Sequence, residues 1–254
     1  MQVTPKKRLG QHFLTDESVA ERIVAALKVG NRHVLEVGPG MGVLTKYLLQ
    51  QPELDLSVVE LDSESVEYLK KHYPALIPHI MEADFLKLKL DDLYQDNLTI
   101  IGNFPYNISS QIMFKMLEYK SLVTELVGMF QKEVAERIAS APGGKQYGIL
   151  SVLVQAFYDV EYLFTVDEHQ FFPPPQVKSA VIRVTKNPAK QLHCDETLFK
   201  QVVKAAFNQR RKTLRNSLKM YNFADDFSAS LLFNLRPEQL SVAQFEDICT
   251  HIVK

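Results

Sequence analysis

Residues 34–42 read VLEVGPGMG, an apolar run that ends in three glycines at alternate positions. A continuous apolar run is typical of a buried parallel β-strand, and the glycines indicate a tight turn into a helix predicted over about residues 43–50. A dinucleotide-binding fingerprint requires a third glycine at the position that Val43 occupies. The stretch therefore predicts an α/β sheet and disfavours a NAD-linked oxidoreductase. The alternative is a strand-to-helix turn that binds no ligand.

Polar side chains follow the next predicted strands at the points where those strands end. The second strand ends in Glu60, the third, predicted over residues 77–81, is followed by Asp84, and the fourth leads into Asn103. Ligands of open parallel sheets bind beyond the carboxyl ends of the strands, and an acidic group at the second strand accepts hydrogen bonds from ribose hydroxyls. Asp84 is placed to accept from the amino group of adenine. We therefore expect one site at this edge of the sheet.

The spacing Glu36-x-Gly38-x-Gly40-x-Gly42, followed by these strand ends, resembles the first motif of the class I S-adenosylmethionine (AdoMet) methyltransferases. The resemblance implies a Rossmann-like α/β sheet domain with AdoMet as the cofactor. In that class the glycine turn surrounds the amino-acid part of the cofactor.

Residues 103–106 read NFPY. The amide oxygen of Asn103 can accept from an NH2 group, and Pro105 restricts the residue before it, so the carbonyl of Phe104 is held in one direction. Tyr106 offers a flat face on which a base can stack. The pattern resembles the Asn/Asp-Pro-Pro-Tyr motif of methyltransferases that act on exocyclic amino groups of nucleobases. The alternative is an ordinary β-turn, because Asn and Pro are common turn residues.

A second aromatic candidate precedes a proline run, because residues 171–179 read FFPPPQVKS. Three prolines favour a stiff, extended backbone that cannot lie inside a sheet. We predict that Phe171 forms the second wall of a base sandwich with Tyr106. The alternative is that Phe171 packs beneath the loop.

The composition is that of an ordinary globular protein of 254 residues, with 46% hydrophobic and 23% charged residues. No apolar run approaches the roughly 18 residues that cross a bilayer, and the basic N-terminus is not followed by the apolar segment of a secretory signal. Cys194 and Cys249 are the only cysteines, which provides neither a disulfide framework nor a zinc cluster. These features predict a metal-free cytoplasmic protein.

The charge is unevenly distributed along the chain. The segment from Lys186 to Lys219 contains nine basic and two acidic residues, so its charge is +7. The rest of the chain carries −8, and the net charge of the whole chain is −1. A helix predicted over residues 198–219 would carry a cationic stripe. The stripe consists of Lys204, Asn208, Arg211, Arg215 and Lys219. Such a stripe predicts a polyanion-binding surface, and the alternative is a solvated helix face.

A linker around residues 185–190, which contains an Asn-Pro pair, divides the chain. We predict a methyltransferase domain with an N-terminal arm over residues 1–186. Residues 187–254 are predicted to form a small all-α, basic domain that binds RNA or the ribosome.

Five motifs in sequence order together resemble the ribosomal RNA adenine dimethyltransferases, specifically their small-subunit, KsgA-type branch. They are QHFL at 11–14, the turn at 36–42, NFPYNIS at 103–109, residues 171–179, and FNQRRKTLRNSL at 207–218. The resemblance implies dimethylation of N6 on two adjacent adenines near the 3′ end of 16S rRNA during ribosome assembly. The implied partner is a small-subunit precursor, and a monomer is the default expectation.

The resemblance also implies roles for individual residues. The implied cofactor-binding residues are His12, Leu14, Gly38, Gly40, Glu60, Asp84 and Asn103. The implied catalytic residues are Asn103, Phe104, Pro105, Tyr106 and Phe171, and the implied RNA-binding residues are Lys204, Arg210, Arg211, Lys212 and Arg215. His12 replaces an asparagine common in the family, and Phe104 replaces a leucine. Because position 104 acts through its carbonyl, we expect its replacement to change little.

Two alternatives to this function stay open. An Erm-type enzyme would use the same chemistry on large-subunit rRNA. A non-catalytic assembly factor could retain the fold, although the intact Asn103 motif with Glu60 and Asp84 argues against it.

Overall fold

The computed structural model describes residues 3–28, 30 and 32–253, and the chain separates into two compact units. The first unit runs to residue 135 and includes residues 160–186. The second contains residues 136–159 and the chain after residue 186. The predicted division at residue 186 remains a prediction. The two compact units also divide after residue 186, but the second unit contains residues 136–159 in addition.

The β-strands of the described residues are short except in the central sheet. In chain order they are β1 (Phe13–Leu14), β2 (His33–Val37), β3 (Asp55–Glu60), β4 (Ile80–Glu82), β5 (Leu98–Asn103), β6 (Val123–Gln131), β7 (Tyr158–Val166), β8 (Phe171–Phe172), β9 (Ser179–Lys186), β10 (Asn222–Phe223) and β11 (Ile252–Val253).

The α-helices connect these strands or follow them. They are α1 (Glu17–Ala25), α2 (Thr45–Leu48), α3 (Ser63–His72), α4 (Ser109–Glu118), α5 (Lys132–Ala139), α6 (Ile149–Gln155), α7 (Glu196–Asn208), α8 (Leu214–Ser217), α9 (Asp225–Ser228) and α10 (Val242–Thr250). None of the helices formed by the described residues is long and apolar enough to span a bilayer.

A seven-stranded sheet forms the centre of the first unit, in the order β4-β3-β2-β5-β6-β9-β7. The pairs from β4 across to β6 are parallel, and β9 is antiparallel to β6. The apolar runs of β2, β5 and β6 are buried, as expected for interior strands of a mainly parallel sheet. The parallel strands end at one edge, so the residues that follow β2, β3, β4 and β5 are brought together.

The third strand of the sheet differs from its predicted position. Residues Pro74–His79 form a 3₁₀ helix, and the strand is Ile80–Glu82 instead of residues 77–81. Pro78 within the 3₁₀ segment has no N–H to give to a sheet ladder, which delays the start of the strand. Asp84 still follows the strand end.

The N-terminal arm, residues 6–16, is held by a second, two-stranded sheet. Phe13 pairs with Phe172 and Leu14 with Phe171 in the antiparallel ladder of β1 and β8. The Thr15 N–H donates to the carbonyl of Gln170 at 2.9 Å. The arm is thus fixed to the segment that precedes the proline run.

The second unit is mainly helical, and its core is built by α6, α7, α8 and α10. The two-residue ladder of β10 with β11 is an exception to the all-α prediction. The helix predicted over residues 198–219 is broken, because α7 ends at Asn208 and α8 begins at Leu214. The N–H of Leu214 donates to the carbonyl of Leu235 at 2.9 Å instead of continuing a helical ladder. The predicted cationic stripe is therefore distributed over two helices and a turn.

Candidate active site

A cavity of about 590 Å³ lies at the carboxyl ends of β2, β3, β4 and β5, a volume typical of small-molecule sites. The structure brings ten of the predicted cofactor-binding and catalytic residues to it. They are His12, Leu14, Gly38, Gly40, Glu60, Asp84, Asn103, Phe104, Pro105 and Tyr106.

The glycine turn that follows β2 is left-handed at three positions. The φ angles of Gly38, Gly40 and Gly42 are +70°, +56° and +79°, a region that L side chains rarely adopt. A Cβ atom at Gly40 would lie 2.9 Å from the Phe13 ring, and one at Gly42 would lie 2.6 Å from the Tyr73 ring. The glycines thus permit both the backbone path and the close approach of these rings.

Glu60 ends β3 with a buried carboxylate that supports this turn. Its Oε2 accepts from the Gly40 N–H at 3.1 Å, and its Oε1 accepts from the Asp62 N–H at 2.9 Å. Burial raises the pKa of Glu60 above its ordinary value, although these backbone hydrogen bonds oppose the shift. Each carboxylate oxygen has a second lone pair, so Glu60 retains capacity to accept from a ligand hydroxyl.

Asp84 lies at the next strand end and is partly exposed, with 30% of its side chain accessible. One carboxylate oxygen, Oδ1, accepts from the Leu86 N–H at 3.0 Å and so begins the short 3₁₀ helix Phe85–Lys87. The other, Oδ2, is 3.8 Å from the Lys87 ammonium. This arrangement leaves acceptor capacity at the cavity wall.

Asp62 organises the arm, and its role was not predicted from the sequence. Its side chain is 2% exposed, forms an ion pair with the Lys6 ammonium and accepts from Gln11 Nε2 at 3.2 Å. Burial alone would raise the pKa of Asp62, but the hydrogen bonds from Lys6 and Gln11 lower it overall. The sequence signal was the N-cap position of α3, which indicates a capping role and not the long-range contact.

The amide of Asn103 is oriented by the arm. Its Nδ2 donates to the backbone carbonyl of His12 at 3.0 Å. Since the nitrogen end of the amide is engaged, the opposite end, the Oδ1 acceptor, is the end left to face a ligand.

His12 and Tyr106 form a stacked pair beside this amide. Their ring centroids are 5.4 Å apart at an interplanar angle of 26°. His12 Nδ1 is 2.7 Å from the carbonyl of Pro173, and the hydroxyl of Tyr106 forms a hydrogen bond with Ser179 Oγ. Both rings are thus anchored to the segment at residues 171–179, and burial raises the pKa of the Tyr106 phenol.

Phe171 is not among the described residues that line the cavity. Its side chain is 4% exposed and belongs to the apolar core with Leu14, Val19 and Val181. The prediction that Phe171 stands opposite Tyr106 is therefore not supported by its position. Pairing of β8 with β1 turns Phe171 inward, and alternation along the strand leaves Phe172 57% exposed.

The predicted RNA-binding residues fall into two groups. Lys204, Arg211, Lys212 and Arg215 are exposed, and the Arg215 guanidinium also donates to the Ser228 carbonyl at 3.4 Å and lies over the Phe233 ring. Arg210 instead donates to the backbone carbonyls of Lys145 and Tyr147, the latter at 3.2 Å, and lies 3.9 Å from the carboxylate of Glu238. Its guanidinium therefore holds the loop before α6, a structural role that the sequence pattern does not reveal.

The residues that line the cavity match the shape and the hydrogen-bond donors of AdoMet. The left-handed turn at Gly38 leaves open space where a Cβ would stand, with its nearest neighbour the Pro105 ring at 3.8 Å. Two carboxylates that retain acceptor capacity, Glu60 and Asp84, lie at successive strand ends, as the hydroxyl and amino donors of an adenosine require.

The sheet and this strand-end site define a class I AdoMet-dependent methyltransferase. A family model described as ribosomal RNA adenine dimethylase matches residues 3–254. The chain therefore belongs to the ribosomal RNA adenine dimethylase family, as its motifs predicted.

Relatives and solved structures agree with this assignment. The chain is 56% identical over 248 residues to a ribosomal RNA small subunit methyltransferase A of Cytophaga hutchinsonii, covering 97% of this chain and 96% of the relative. It is 58% identical over 253 residues to the protein of the same name from Bacteroides thetaiotaomicron, covering 98% and 94%.

Among solved structures, a dimethyladenosine transferase from Plasmodium falciparum superposes with a TM-score of 0.80 at 25% identity, covering 93% of this chain and 96% of that one. The 23S rRNA methyltransferase ErmE superposes with a TM-score of 0.71 at 22% identity, covering 94% and 100%. The likeness to ErmE shows a shared fold. The predicted fold class is confirmed.

Proposed function

We propose that the chain dimethylates N6 of two adjacent adenines of small-subunit rRNA, with AdoMet as methyl donor. The observation that carries the proposal is the orientation of Asn103, whose amide nitrogen is held by the His12 carbonyl at the mouth of the cavity. The motif that follows contributes Pro105 and Tyr106. The names of the relatives in Cytophaga and Bacteroides support the small subunit as the substrate.

Seven residues around the cavity are proposed to hold the cofactor. Gly38 and Gly40 leave room for its amino-acid part, Glu60 accepts from the ribose hydroxyls, and Asp84 accepts from the adenine amino group. His12, Leu14 and Asn103 close the site from the arm and the fourth strand end. When bound, AdoMet supplies an electrophilic methyl group.

The residues of the motif prepare the target nitrogen. The amino nitrogen of adenine is a poor nucleophile because its lone pair is delocalised into the ring. In the first transfer the Asn103 Oδ1 and the Phe104 carbonyl accept its two hydrogens, and in the second transfer one of them accepts the single hydrogen that remains. In both cases the nitrogen acquires a localised lone pair. The nitrogen loses one proton in each methylation, and this proton passes to solvent. Positioning and electrostatics therefore contribute most to the reaction, and we nominate no general base.

The target base must leave its stack to reach the site, at a cost of roughly a few kcal/mol. Stacking on Tyr106 offsets about 1–3 kcal/mol of that cost. Phe171 could form a second wall only if it left the core in which it packs.

The exposed cations of the second unit are proposed to bind rRNA phosphates. Lys204, Arg211, Lys212 and Arg215 are exposed within the segment that carries +7. Such contacts supply affinity without reading sequence. The proposal places the reaction in the cytoplasm, where bacterial subunits are assembled, and takes the chain as a monomer.

The test is a methyl-transfer assay with labelled AdoMet that offers undermethylated small subunits, large subunits and naked rRNA of each in parallel. We expect dimethyladenosine at adjacent adenines of small subunits alone. Label in large-subunit RNA would instead assign the chain to the Erm type. Bound AdoMet without transfer to any substrate would favour the assembly factor.

A further inference from the structure

The side chain of Phe104 lies in a slot formed by two glycines. Gly102 on β5 and Gly128 on β6 are paired across the parallel ladder. A Cβ atom at Gly102 would lie 2.7 Å from Cε1 of the Phe104 ring, and one at Gly128 would overlap Cε2. The ring is 1% exposed and also contacts Phe130, with centroids 5.0 Å apart.

Strand β6 also holds the backbone of the same residue. The Phe104 N–H donates to the carbonyl of Met129, the residue after Gly128, at 3.2 Å. Pro105 restricts the peptide on the other side of Phe104. The direction of the Phe104 carbonyl is therefore held by three constraints. They are the hydrogen bond of the Phe104 N–H, the packing of the Phe104 ring, and the restriction that Pro105 places on the peptide.

The slot has no room for a side chain at either glycine beside the Phe104 ring. A Cβ atom on either glycine would lie closer to the ring than real Cβ atoms lie to their neighbours, and protein interiors are close-packed. A methyl group added at Gly128 must therefore move the ring, and the short link between ring and backbone transmits the shift to the carbonyl.

We propose that Gly128 is a positioning residue for methyl transfer, because its lack of a side chain seats the Phe104 ring and so sets the direction of the Phe104 carbonyl. The inference rests on the proposed function, in which that carbonyl accepts a hydrogen of the target amino group. Gly128 itself touches no substrate. Residues 104 and 128 act as a size-matched pair, Phe with Gly, for which Leu with Ala is the alternative match.

The experiment compares the wild type with Gly128→Ala, Phe104→Leu and the double variant. For each chain, kcat and the KM for AdoMet are measured on small subunits, the Kd for AdoMet is measured by calorimetry, and folding is followed by circular dichroism. Gly144→Ala is the matched control, because a Cβ at Gly144 meets nothing within 4 Å.

We expect Gly128→Ala to lower kcat by roughly 10- to 100-fold with the Kd for AdoMet nearly unchanged, since displacements of about 1 Å at reacting groups have effects of that size. Phe104→Leu should lower kcat by about threefold, and the double variant should exceed Gly128→Ala by at least about fivefold, as expected for coupled neighbours. Gly144→Ala should match the wild type. A merely structural role would not give this split between kcat and Kd, nor this rescue.

A Gly128→Ala chain with wild-type kcat, or a double variant no better than Gly128→Ala, would overturn the inference. If Gly128→Ala does not fold, a double variant that folds and transfers methyl supports the size match, and one that does not fold overturns it. Wild-type chain that transfers no methyl to any subunit would overturn the proposed function and the inference with it. Wild-type activity with an equally active Gly128→Ala overturns the inference alone.

Discussion

Asn103 uses the two ends of its amide for different purposes. The nitrogen end is bound to the carbonyl of His12, so the oxygen end has a fixed direction without any contact to the cofactor being needed. This division of roles predicts that the side chain affects catalysis more than it affects cofactor binding.

We expect Asn103→Ala to lower methyl transfer by about 100-fold or more, the size of effect seen when one preorganised hydrogen-bonding group is removed from an active site. Binding of AdoMet should weaken by less than about tenfold. Single-turnover transfer and calorimetry measure the two quantities. Asn103→Asp is the matched variant, because it keeps an acceptor oxygen and should retain more activity than Asn103→Ala. Full turnover in Asn103→Ala would refute the mechanism.

Glu36 predicts a pH dependence of stability. Its side chain is 1% exposed, its Oε2 accepts from the Thr45 hydroxyl at 2.6 Å, and burial raises its pKa from 4.5 to about 8. The folded chain therefore holds this proton where the unfolded chain has lost it, so the group's contribution to stability falls as pH rises from about 4.5 to about 8.

The isosteric Glu36→Gln cannot titrate. Its free energy of unfolding should rise relative to the wild type by about 1–3 kcal/mol from the acidic to the alkaline end of that range. Urea denaturation at several pH values measures the difference. Glu53→Gln, which changes an exposed carboxylate, should show no such trend, and a flat difference for Glu36→Gln would contradict the prediction.

At the residue scale the strand ends were predictable and the long-range contacts were not. Glu60, Asp84 and Asn103 each follow an apolar strand, and strand topology alone brings them together. The contact of Asp62 with Lys6, and that of Asn103 with His12, join residues that are far apart in sequence. Phe171 was misplaced because a proline run indicates an extended backbone without indicating which of two adjacent phenylalanines faces inward.

At the scale of elements, the N-terminal arm depends on a charge clamp and a short ladder. The Lys6 ammonium pairs with Asp62 and lies 3.2 Å from Glu64, while Phe13 packs against Gly40 of the glycine turn. The Lys6 ion pairs and the contact of Phe13 with Gly40 are therefore made by the same N-terminal arm. We expect loss of the ion pairs to weaken the contact between the arm and the glycine turn.

Lys6→Met is expected to speed hydrogen exchange over residues 6–14 and to weaken AdoMet binding by about tenfold, because local opening competes with the bound state. Exchange mass spectrometry and calorimetry measure the two effects. Lys7→Met is the matched control, since Lys7 is exposed. Equal behaviour of the two variants would show that the clamp does not order the arm.

Elements with strong periodicity were predicted closely. The second and fourth strands along the chain from the glycine turn end where they were expected, because β3 ends at Glu60 and β5 ends at Asn103. The helix expected over residues 198–219 failed, because periodicity does not report that the Leu214 N–H is bound by Leu235. Prediction of helix ends is limited in this way wherever a distant carbonyl competes for the N–H.

At the scale of the whole molecule, the uneven charge predicts how RNA binding responds to salt. The basic segment of +7 coexists with a remainder of −8, so attraction to phosphate must come from local cations and not from the net charge. Each exposed cation that contacts a phosphate contributes separately to the salt slope.

Arg211→Gln and Lys212→Gln should each reduce the slope of log affinity against log salt by about 0.7–0.9, the contribution of one phosphate contact. Filter binding of rRNA at several salt concentrations measures the slope. Arg210→Gln is the contrasting variant, because Arg210 binds backbone carbonyls. It should lower Tm and leave the slope nearly unchanged, and the reverse pattern would contradict this assignment.

The slot around Phe104 has a consequence for how positions 104 and 128 change during evolution. If a ring at position 104 requires glycine at position 128, the two sites cannot change independently, and the order of substitutions matters. A lineage with leucine at 104 and alanine at 128 would have to reach glycine first and phenylalanine second, because the opposite order passes through an overpacked intermediate. Related chains should therefore show phenylalanine at 104 only on a background of glycine at 128.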